Sequence, residues 1–414
     1  MLPWDVLLKI VGKVPRCDAL AQVNKKFCEL VIQSRSQVCA ISQRMGWWQQ
    51  CYNLDSITVE TECTSLEFIG MLPCPQKLKY LSLSSPTYLA DDQIMQMSRL
   101  KSLEHLECIF DTQCNERLSR PLLWMCCGAS LLGIRLHGCT GVNIMPIKSL
   151  PMLQALDLFD CKTTIADINH WDSGTLTRLI VDNRSTYTMM DRIETELLDL
   201  TGITALEELQ FVCMSFRRMT LPPSTVKCLR LFCCKRFRFN ILTAIELRAL
   251  KELEIMRCWV PINIGTDLVR ILPRTLESLS IAGIDEKDNQ LVILICKTIP
   301  ALRHLNFSGG GRELTYQGLS ELTQLRLVSL DISDWRMGSN QALAALRLPD
   351  SLRYLNLSRS VSDYPLVPGS LTHLTKHLTW LTLKGVGVVA EDFDGIDCIM
   401  SFCIISQRFR WRTA

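Results

Sequence analysis

The chain has 414 residues, of which 48% are apolar and 21% are charged, and its formal net charge is +3. This near-neutral balance gives no reason to expect nucleic acid or a strongly acidic partner, and no apolar run is long enough to span a membrane. A chain of this length is too long for one compact domain unless that domain is built from repeats.

Residues 1–45 are predicted to form a small all-α segment that lies outside any repeat. Pro3 and Asp5 suit the first turn of a helix that Pro15 ends, and Asp18 can cap the next helix. The apolar positions on the two helical faces are Leu7, Ile10, Val11 and Val14, then Leu20, Val23, Phe27, Leu30 and Val31. Helices this short cannot bury these side chains alone. The segment therefore needs a partner, or it simply caps the repeats that follow.

From residue 54 to 384 the sequence repeats the phrase Leu-x-x-Leu-x-Leu about every 25 residues. Clear copies begin at Leu78, Leu153, Leu276, Leu352 and Leu378, and weaker ones at Leu54, Leu103, Leu131, Leu176, Leu206, Val226, Leu250, Leu302 and Leu327. The alternation in the last four positions predicts a β-strand whose apolar side is buried only when such strands stack. About 14 units are predicted over residues 46–384, as an α/β solenoid with a parallel sheet on its concave face.

The segments that return the chain from one strand to the next are predicted to differ along the solenoid. Helical spacing is found at 91–100, 266–272, 287–299, 315–325 and 340–347, and Pro273, Pro300 and Pro349 follow three of these segments. The returns after the units that begin at Leu131, Leu153 and Leu206 leave little room for a helix. The coil is therefore expected to be tighter or less regular in its middle.

The strand residues between the leucines are expected to line the inner face of the arc. In the middle units they form a set rich in apolar side chains and arginine, predicted to bind a target: Arg135, His137, Phe159, Arg178, Ile180, Val212, Arg230, Phe232 and Met256. Exposed apolar patches with flanking arginine are typical of interaction sites. The alternative is that a neighbouring loop or the C-terminal tail covers these side chains. In later units the same positions are small and polar.

The 20 cysteines are predicted to be reduced thiols in the cytoplasm or nucleus. The start of the chain has no basic lead and does not resemble a secretion signal, and adjacent pairs such as Cys126 and Cys127 do not suit a disulfide framework. Four cysteines fall three residues after the last apolar residue of their phrase, where they can fill the interior of the turn: Cys139, Cys161, Cys234 and Cys258.

No catalytic centre, cofactor or metal site is predicted. His373 and His377 are four residues apart but lack the glutamate of a metalloprotease helix. The basic and aromatic runs at 235–239 and 408–412 are short, and they favour a return loop and a chain end over a nucleic-acid groove. Residues 385–414 leave the repeat, and the helical spacing around Ile399 and Met400 predicts a cap over the end of the solenoid.

The repeat phrase resembles that of the leucine-rich-repeat family. The N-terminal pattern Leu2-Pro3-x-Asp5, Ile10, Val14, Asp18-x-Leu20, Val23-x-Lys25 and Phe27 resembles an F-box. Together they resemble F-box proteins with leucine-rich repeats, whose F-box docks on the Skp-type adaptor of a cullin–RING ubiquitin ligase. The resemblance implies adaptor contacts by Leu2, Pro3, Asp5, Leu7, Ile10 and Val23.

On this resemblance the chain would be a non-catalytic subunit of an SCF-type (Skp–cullin–F-box) ligase. It would bind the adaptor through its N-terminal helices and a protein target through its repeats, so that the target is ubiquitinated and degraded. A repeat scaffold or inhibitor that binds proteins without a ligase is the alternative.

Overall fold

The parallel strands that the repeat predicts are present throughout the part of the chain that the structure describes. This computed structural model describes residues 37–40, 55–59, 69–70, 72–84, 95–109, 129–138, 145–184, 195–234, 246–258, 264–282, 289–309, 313–314, 316–337, 348–360, 377–383 and 399–401. The chain divides into two compact units. The first comprises 1–189 with 202–206, and the second comprises 190–201 with 207–414.

The first unit contains a sheet of parallel strands that follow one another in chain order. These strands are β1 Gln37–Ala40, β2 Ser56–Val59, β3 Tyr80–Ser84, β4 His105–Ile109, β5 Gly133–His137, β6 Ala155–Phe159 and β7 Arg178–Asp182. Each pairs with the next without a slip, so that Tyr80, His105 and Gly133 are partners in register. Equivalent positions of successive repeats therefore form straight rows across the sheet.

The second unit contains the same kind of sheet and two small additions. Its strands are β8 Thr195–Asp199, β9 Glu208–Val212, β10 Phe216–Thr220, β11 Cys228–Phe232, β12 Glu252–Met256, β13 Ser278–Ala282, β14 His304–Asn306, β15 Glu313–Leu314, β16 Ser329–Asp331, β17 Arg336–Met337, β18 Tyr354–Asn356, β19 Trp380–Thr382 and β20 Ile399–Ser401. The main sheet runs β9-β11-β12-β13-β14-β16-β18-β19-β20, all parallel. Two pairs, β8 with β10 and β15 with β17, form separate parallel ladders.

Helices occupy several return segments, as predicted. They are α1 Met145–Lys148, α2 Ile165–Ile168, α3 Ile264–Ile271, α4 Asn289–Thr298 and α5 Tyr316–Glu321, with 3₁₀ turns at Pro75–Lys77, Met97–Arg99 and Leu322–Gln324. The last three α-helices confirm the predictions for 266–272, 287–299 and 315–325, whereas 340–347 lies outside the described residues. None of the described helices combines the length and the apolar character that a membrane crossing requires.

The middle returns are short, as expected, and they also contain structure that the periodicity did not reveal. The four-residue helix α2 is held by a capping box, in which Thr164 accepts a hydrogen bond from the N–H of Asp167 while the Asp167 carboxylate accepts from the N–H of Thr164. In the second unit β8 and β10 form a two-stranded ladder that is separate from the main sheet. Phe216 of β10 packs edge-to-face on Phe211 of β9, with ring centres 5.8 Å apart, and both rings are fully buried.

The phrase leucines form the core of both units. Leu153, Leu156 and Leu158 are buried, and the same holds for Leu352, Leu355 and Leu357. Burying a leucine side chain contributes about 1.5–3 kcal/mol, so a continuous column of them stabilises each repeat against its neighbours. This is why a pattern that is weak in any one repeat specifies the whole stack.

Several of the described repeats are also closed by a turn at the end of the strand. One residue there takes a left-handed conformation, as at Asp160 (φ 53°), Cys233 (φ 52°) and Arg257 (φ 52°). The next side chain then points inward. Cys161, Cys234 and Cys258 donate from Sγ to the backbone carbonyls of Leu136, Phe211 and Leu231, at 3.4, 3.6 and 3.3 Å.

Two other residue types take the place of cysteine at this inward turn position. Trp335 donates from its indole Nε1 to the carbonyl of Phe307, and Ser360 donates from Oγ to the carbonyl of Ile332 at 3.0 Å. These side chains therefore bond one repeat to the preceding one as well as filling space. The fourth predicted cysteine, Cys139, lies outside the described residues.

Two strands lie where the sequence predicted other structure. Gln37–Ala40 was assigned to an all-α segment, but it forms β1 and pairs with β2. Ile399 and Met400 were expected in a helix, but they lie in β20 and pair with β19. In both places the apolar residues are too few to distinguish a strand from a helix by periodicity, and pairing with an existing sheet edge decides the outcome.

Candidate interaction surface

Side chains at odd strand positions of the first unit form three outward rows, because the strands are parallel and in register. The row of first positions is Ser56, Tyr80, His105, Gly133, Ala155 and Arg178. The row of third positions is Thr58, Ser82, Glu107, Arg135, Asp157 and Ile180. These rows bring Arg135 and Arg178, two of the predicted target-binding residues, close to each other.

A buried carboxylate is shared by the two arginines. Arg135 donates from Nε and Nη2 to Asp157 Oδ2 at 3.2 and 3.1 Å. Arg178 donates from Nη2 to the same oxygen at 3.3 Å, and its Nε lies 3.3 Å from Oδ1. The Asp157 side chain is 6% exposed, whereas those of Arg135 and Arg178 are 46% and 37% exposed. The anion thus lies beneath and the cations face solvent.

A second carboxylate extends this network. Glu107 accepts hydrogen bonds from the hydroxyls of Tyr80 and Ser82, at 2.7 and 2.9 Å, and lies 3.5 Å from Arg135 Nη1. Burial raises the pKa of Glu107, but the two hydroxyl hydrogen bonds and the charge of Arg135 outweigh it, so that the pKa lies below its ordinary value. Glu107 is therefore ionised at neutral pH.

A cavity of about 240 Å³ opens beside this network. Its lining includes the small residue Ala155 at the first position of β6, next to Arg178 at the first position of β7. The Gly133 backbone is covered by the His105 ring, since a Cβ at Gly133 would lie 2.5 Å from His105 Nδ1. Leu106 and Ile134 add apolar surface to the cavity lining.

An apolar strip runs along the fifth strand positions of the same unit. The rings of His137 and Phe159 stack with centres 4.4 Å apart and planes 12° from parallel. Ile109, their neighbour on β4, is exposed. Burial lowers the pKa of His137 despite the nearby carboxylates, so its ring is neutral at pH 7 and suited to apolar contact.

The second unit presents a different charge pattern. Arg230 lies among three carboxylates: Glu208 at 2.8 Å, Glu252 at 3.0 Å and Glu254 at 3.7 Å. Burial raises the pKa of Glu254, with Arg230 opposing and Glu252 adding to the shift. Beside this cluster, at fifth positions, Val212, Phe232 and Met256 are partners in register.

The nine predicted target-binding residues all lie on β-strands, but they do not share one environment. Arg135, His137, Phe159, Arg178 and Ile180 belong to the first unit, and Val212, Arg230, Phe232 and Met256 belong to the second. Ile180 and Val212 differ from the expectation, because their side chains are buried, at 4% and 2% exposure. Alternation identifies the face of a strand but not what covers that face. The predicted adaptor-binding residues, Leu2, Pro3, Asp5, Leu7, Ile10 and Val23, lie outside the described residues.

Sequence reasoning missed two kinds of surface residue. Tyr354 and Trp380 are exposed large apolar side chains on neighbouring strands. Both occupy the third position of their phrase, just before the second leucine. An aromatic residue at this outward position could have been used to predict an exposed apolar surface. It also missed Ala155, whose small side chain lies in the cavity lining.

The polar residues of the later repeats form hydrogen bonds at the ends of their own strands. Asp331 Oδ1 accepts hydrogen bonds from the N–H and the hydroxyl of Ser333, at 2.9 and 2.7 Å, and Asn356 Oδ1 accepts from the N–H of Ser358. Asn356 also donates from Nδ2 to Asp331 Oδ2 at 2.9 Å. These local bonds explain why small polar residues recur at these positions.

The stacked parallel strands, their leucine columns and their closing turns define a leucine-rich-repeat solenoid. The fold is similar to that of a leucine-rich-repeat protein from Leptospira interrogans, at 18% identity and a TM-score of 0.50 over 88% of this chain and 93% of that chain. It is also similar to a chain of the mouse RP105/MD-1 complex, at 16% identity and a TM-score of 0.52; the match covers 83% of this chain and 62% of that chain. No protein-family model matches the sequence, and no curated protein matches it significantly. Solenoid repeat proteins present extended surfaces that they use for binding.

Proposed function

We propose that this chain is the target-recognition subunit of an SCF-type ubiquitin ligase. The observation that carries the proposal is a sequence pattern, Leu2-Pro3-x-Asp5 through Phe27, that resembles an F-box and precedes a leucine-rich-repeat solenoid. In this arrangement the N-terminal helices bind a Skp-type adaptor and, through it, a cullin. The outward face of the repeats binds a protein target.

The mechanism needs no chemistry from this chain. Holding adaptor and target on one polypeptide raises the effective concentration of target lysines near the ubiquitin-charged enzyme. The expected site of action is the cytoplasm or nucleus, where ligase components and reduced thiols coexist. The outcome for the target is ubiquitination and proteasomal degradation.

The adaptor part of the proposal is tested by co-purification. The tagged full chain is isolated from eukaryotic cells, and adaptor and cullin are quantified by mass spectrometry. Leu7→Asp with Ile10→Asp places charge on the predicted apolar face and is expected to remove both components. Lys9→Asp with Lys13→Asp is the matched control, because it introduces the same residues off that face and is expected to retain them. Equal recovery with both variants contradicts the proposal, as does recovery of neither component with the unaltered chain.

The second candidate is a repeat scaffold or inhibitor that binds a protein without a ligase. The leucine-rich-repeat fold favours it equally, since that fold accounts for protein binding alone. The two functions differ in the fate of the target. Depleting the chain raises the level of a target that it sends for degradation, whereas the level of a sequestered target stays constant while its activity rises.

Target binding to the predicted surface is tested separately in the two units. Phe159→Ala removes the ring that stacks on His137 in the first unit, and Phe232→Ala removes the half-buried ring between Val212 and Met256 in the second. A target that uses either surface should lose about tenfold or more in affinity with the corresponding variant. Unchanged affinity with both variants removes these surfaces from consideration.

A further inference from the structure

The cavity beside Gly133 is smaller than a typical site for a drug-sized ligand. Its volume of about 240 Å³ lies below the roughly 300–1,000 Å³ of drug-sized ligand sites. It can accept one side chain that a larger molecule presents. Because it opens among the outward rows of the first unit, that molecule approaches along the face that the proposed function assigns to a protein target.

The charges at the cavity are arranged in two levels. Asp157 and Glu107 are 6% and 16% exposed, whereas Arg135 is 46% exposed. The buried carboxylates hold the guanidinium groups in place. Arg135 contacts Asp157 through Nε and Nη2 and Glu107 through Nη1. Because each guanidinium carries five N–H donors in a planar fork, these contacts leave further donors of Arg135 for a group on its solvent side. A group that enters from solvent meets guanidinium before it meets carboxylate.

We propose that this cavity accepts the carboxylate of an aspartate or glutamate in a protein partner. The charged part of the lining contains Glu107 and Asp157 as well as the two arginines. Arg135 and Arg178, which are more exposed than the carboxylates, recognise the entering carboxylate by charge-assisted hydrogen bonds. The small side chain of Ala155 gives the acidic side chain room to enter beside Arg178. The proposal rests on the proposed function only in requiring that a protein docks on this face, and it is independent of the adaptor.

The strip next to the cavity defines a second feature of the partner. Arg135 and His137 are two residues apart on β5, a separation of about 6–7 Å along a strand. The stacked rings of His137 and Phe159 therefore lie beside the cavity and can hold an apolar side chain. The partner segment thus carries an apolar residue two positions from its acidic residue when extended, or one turn away when helical.

To test this proposal, peptides that bind the purified full chain are selected from a phage-displayed library of random 12-residue sequences. Peptides that bind are expected to be enriched in Asp or Glu near an apolar residue. Their affinity is expected to fall about tenfold or more with Arg135→Gln plus Arg178→Gln. Arg184→Gln, which removes an exposed arginine of the same unit, is the matched control and is expected to leave affinity unchanged.

A second variant separates cavity filling from loss of charge. Ala155→Leu fills the cavity and leaves both arginines in place. The next strand, β7, already carries the larger Arg178 at this position, and circular dichroism verifies that the variant folds. It is expected to abolish selection of acidic peptides. Selected peptides without acidic residues overturn the proposal, as do acidic peptides that bind Ala155→Leu as tightly as the unaltered chain, or a failure of the unaltered chain to select any peptide. Loss of adaptor recovery in the co-purification assay would leave this result unaffected.

Discussion

Trp335 allows the energy of one closing turn to be measured. Its side chain is fully buried, its ring lies 5.2 Å from that of Phe307 with planes 19° from parallel, and its indole N–H donates to the Phe307 carbonyl. Trp335→Phe keeps an aromatic ring stacked on Phe307 but removes the indole N–H, so that the Phe307 carbonyl loses this hydrogen bond. Trp335→Ala removes the ring as well.

The expected costs follow from these contacts. Losing a buried hydrogen bond costs about 1–2 kcal/mol, and the smaller ring leaves unfilled space worth about 1 kcal/mol more. Trp335→Phe should therefore lower the free energy of unfolding by about 2–3 kcal/mol. Trp335→Ala should lower it by about 4–5 kcal/mol, at the upper end for a buried tryptophan.

Urea unfolding followed by circular dichroism measures these losses, and hydrogen exchange of peptides covering residues 302–337 locates them. Trp380→Phe is the control, because Trp380 is exposed and its indole bonds only to the nearby Thr382 hydroxyl, at 3.0 Å, among the described contacts. That change should stay within about 0.5 kcal/mol. If Trp335→Phe costs no more than Trp380→Phe, the role assigned to the closing turn is wrong.

Three further predictions concern other features of the repeats. Arg257→Gly should raise the unfolding free energy by about 0.5–1 kcal/mol in urea titration, because glycine takes the left-handed conformation without strain; a loss would contradict this, and Glu252→Gly within β12 is a control that should destabilise. Burial raises the pKa of Cys228 and Cys296 from 9.0 to about 12, so iodoacetamide at pH 8 should label them only after unfolding, as read by peptide mass spectrometry; labelling at the unfolded rate would contradict this. The pKa of Glu107 lies below its ordinary 4.5, so its ionised form stabilises the fold above that pH. The stability lost in Glu107→Gln should therefore be largest near neutrality and should shrink as pH falls through the folded-state pKa; a difference independent of pH would contradict this.

The leucine phrases predicted the sheet because each contains two apolar positions in strand alternation and recurs in register. The sequence also located α3, α4 and α5, since Pro273 and Pro300 mark where two of these returns end. It did not predict β1 or β20, because a short strand at a sheet edge depends on its neighbour more than on its own pattern. The extra ladder of β8 and β10 was missed for the same reason.

The candidate site was predictable as a face but not as a set of contacts. Arg135 and Arg178 were placed correctly on outward positions, because strand alternation determines which side chains share a face. Their joint contact with Asp157 depends on which residues meet across strands, and that follows from register rather than from one repeat. Ile180 and Val212 are buried although they lie at outward strand positions, so strand alternation alone does not determine exposure.

The bonds at the strand ends join residues whose separation in sequence is not constant. Cys234 bonds to a carbonyl 23 residues earlier, Cys161 to one 25 earlier, Cys258 to one 27 earlier, and Ser360 to one 28 earlier. Within each strand and turn, by contrast, the spacing from the second leucine to the inward side chain is fixed. Insertions and deletions should thus be tolerated in the connecting loops, whereas a single-residue change of length between strand and turn should break the link to the preceding repeat.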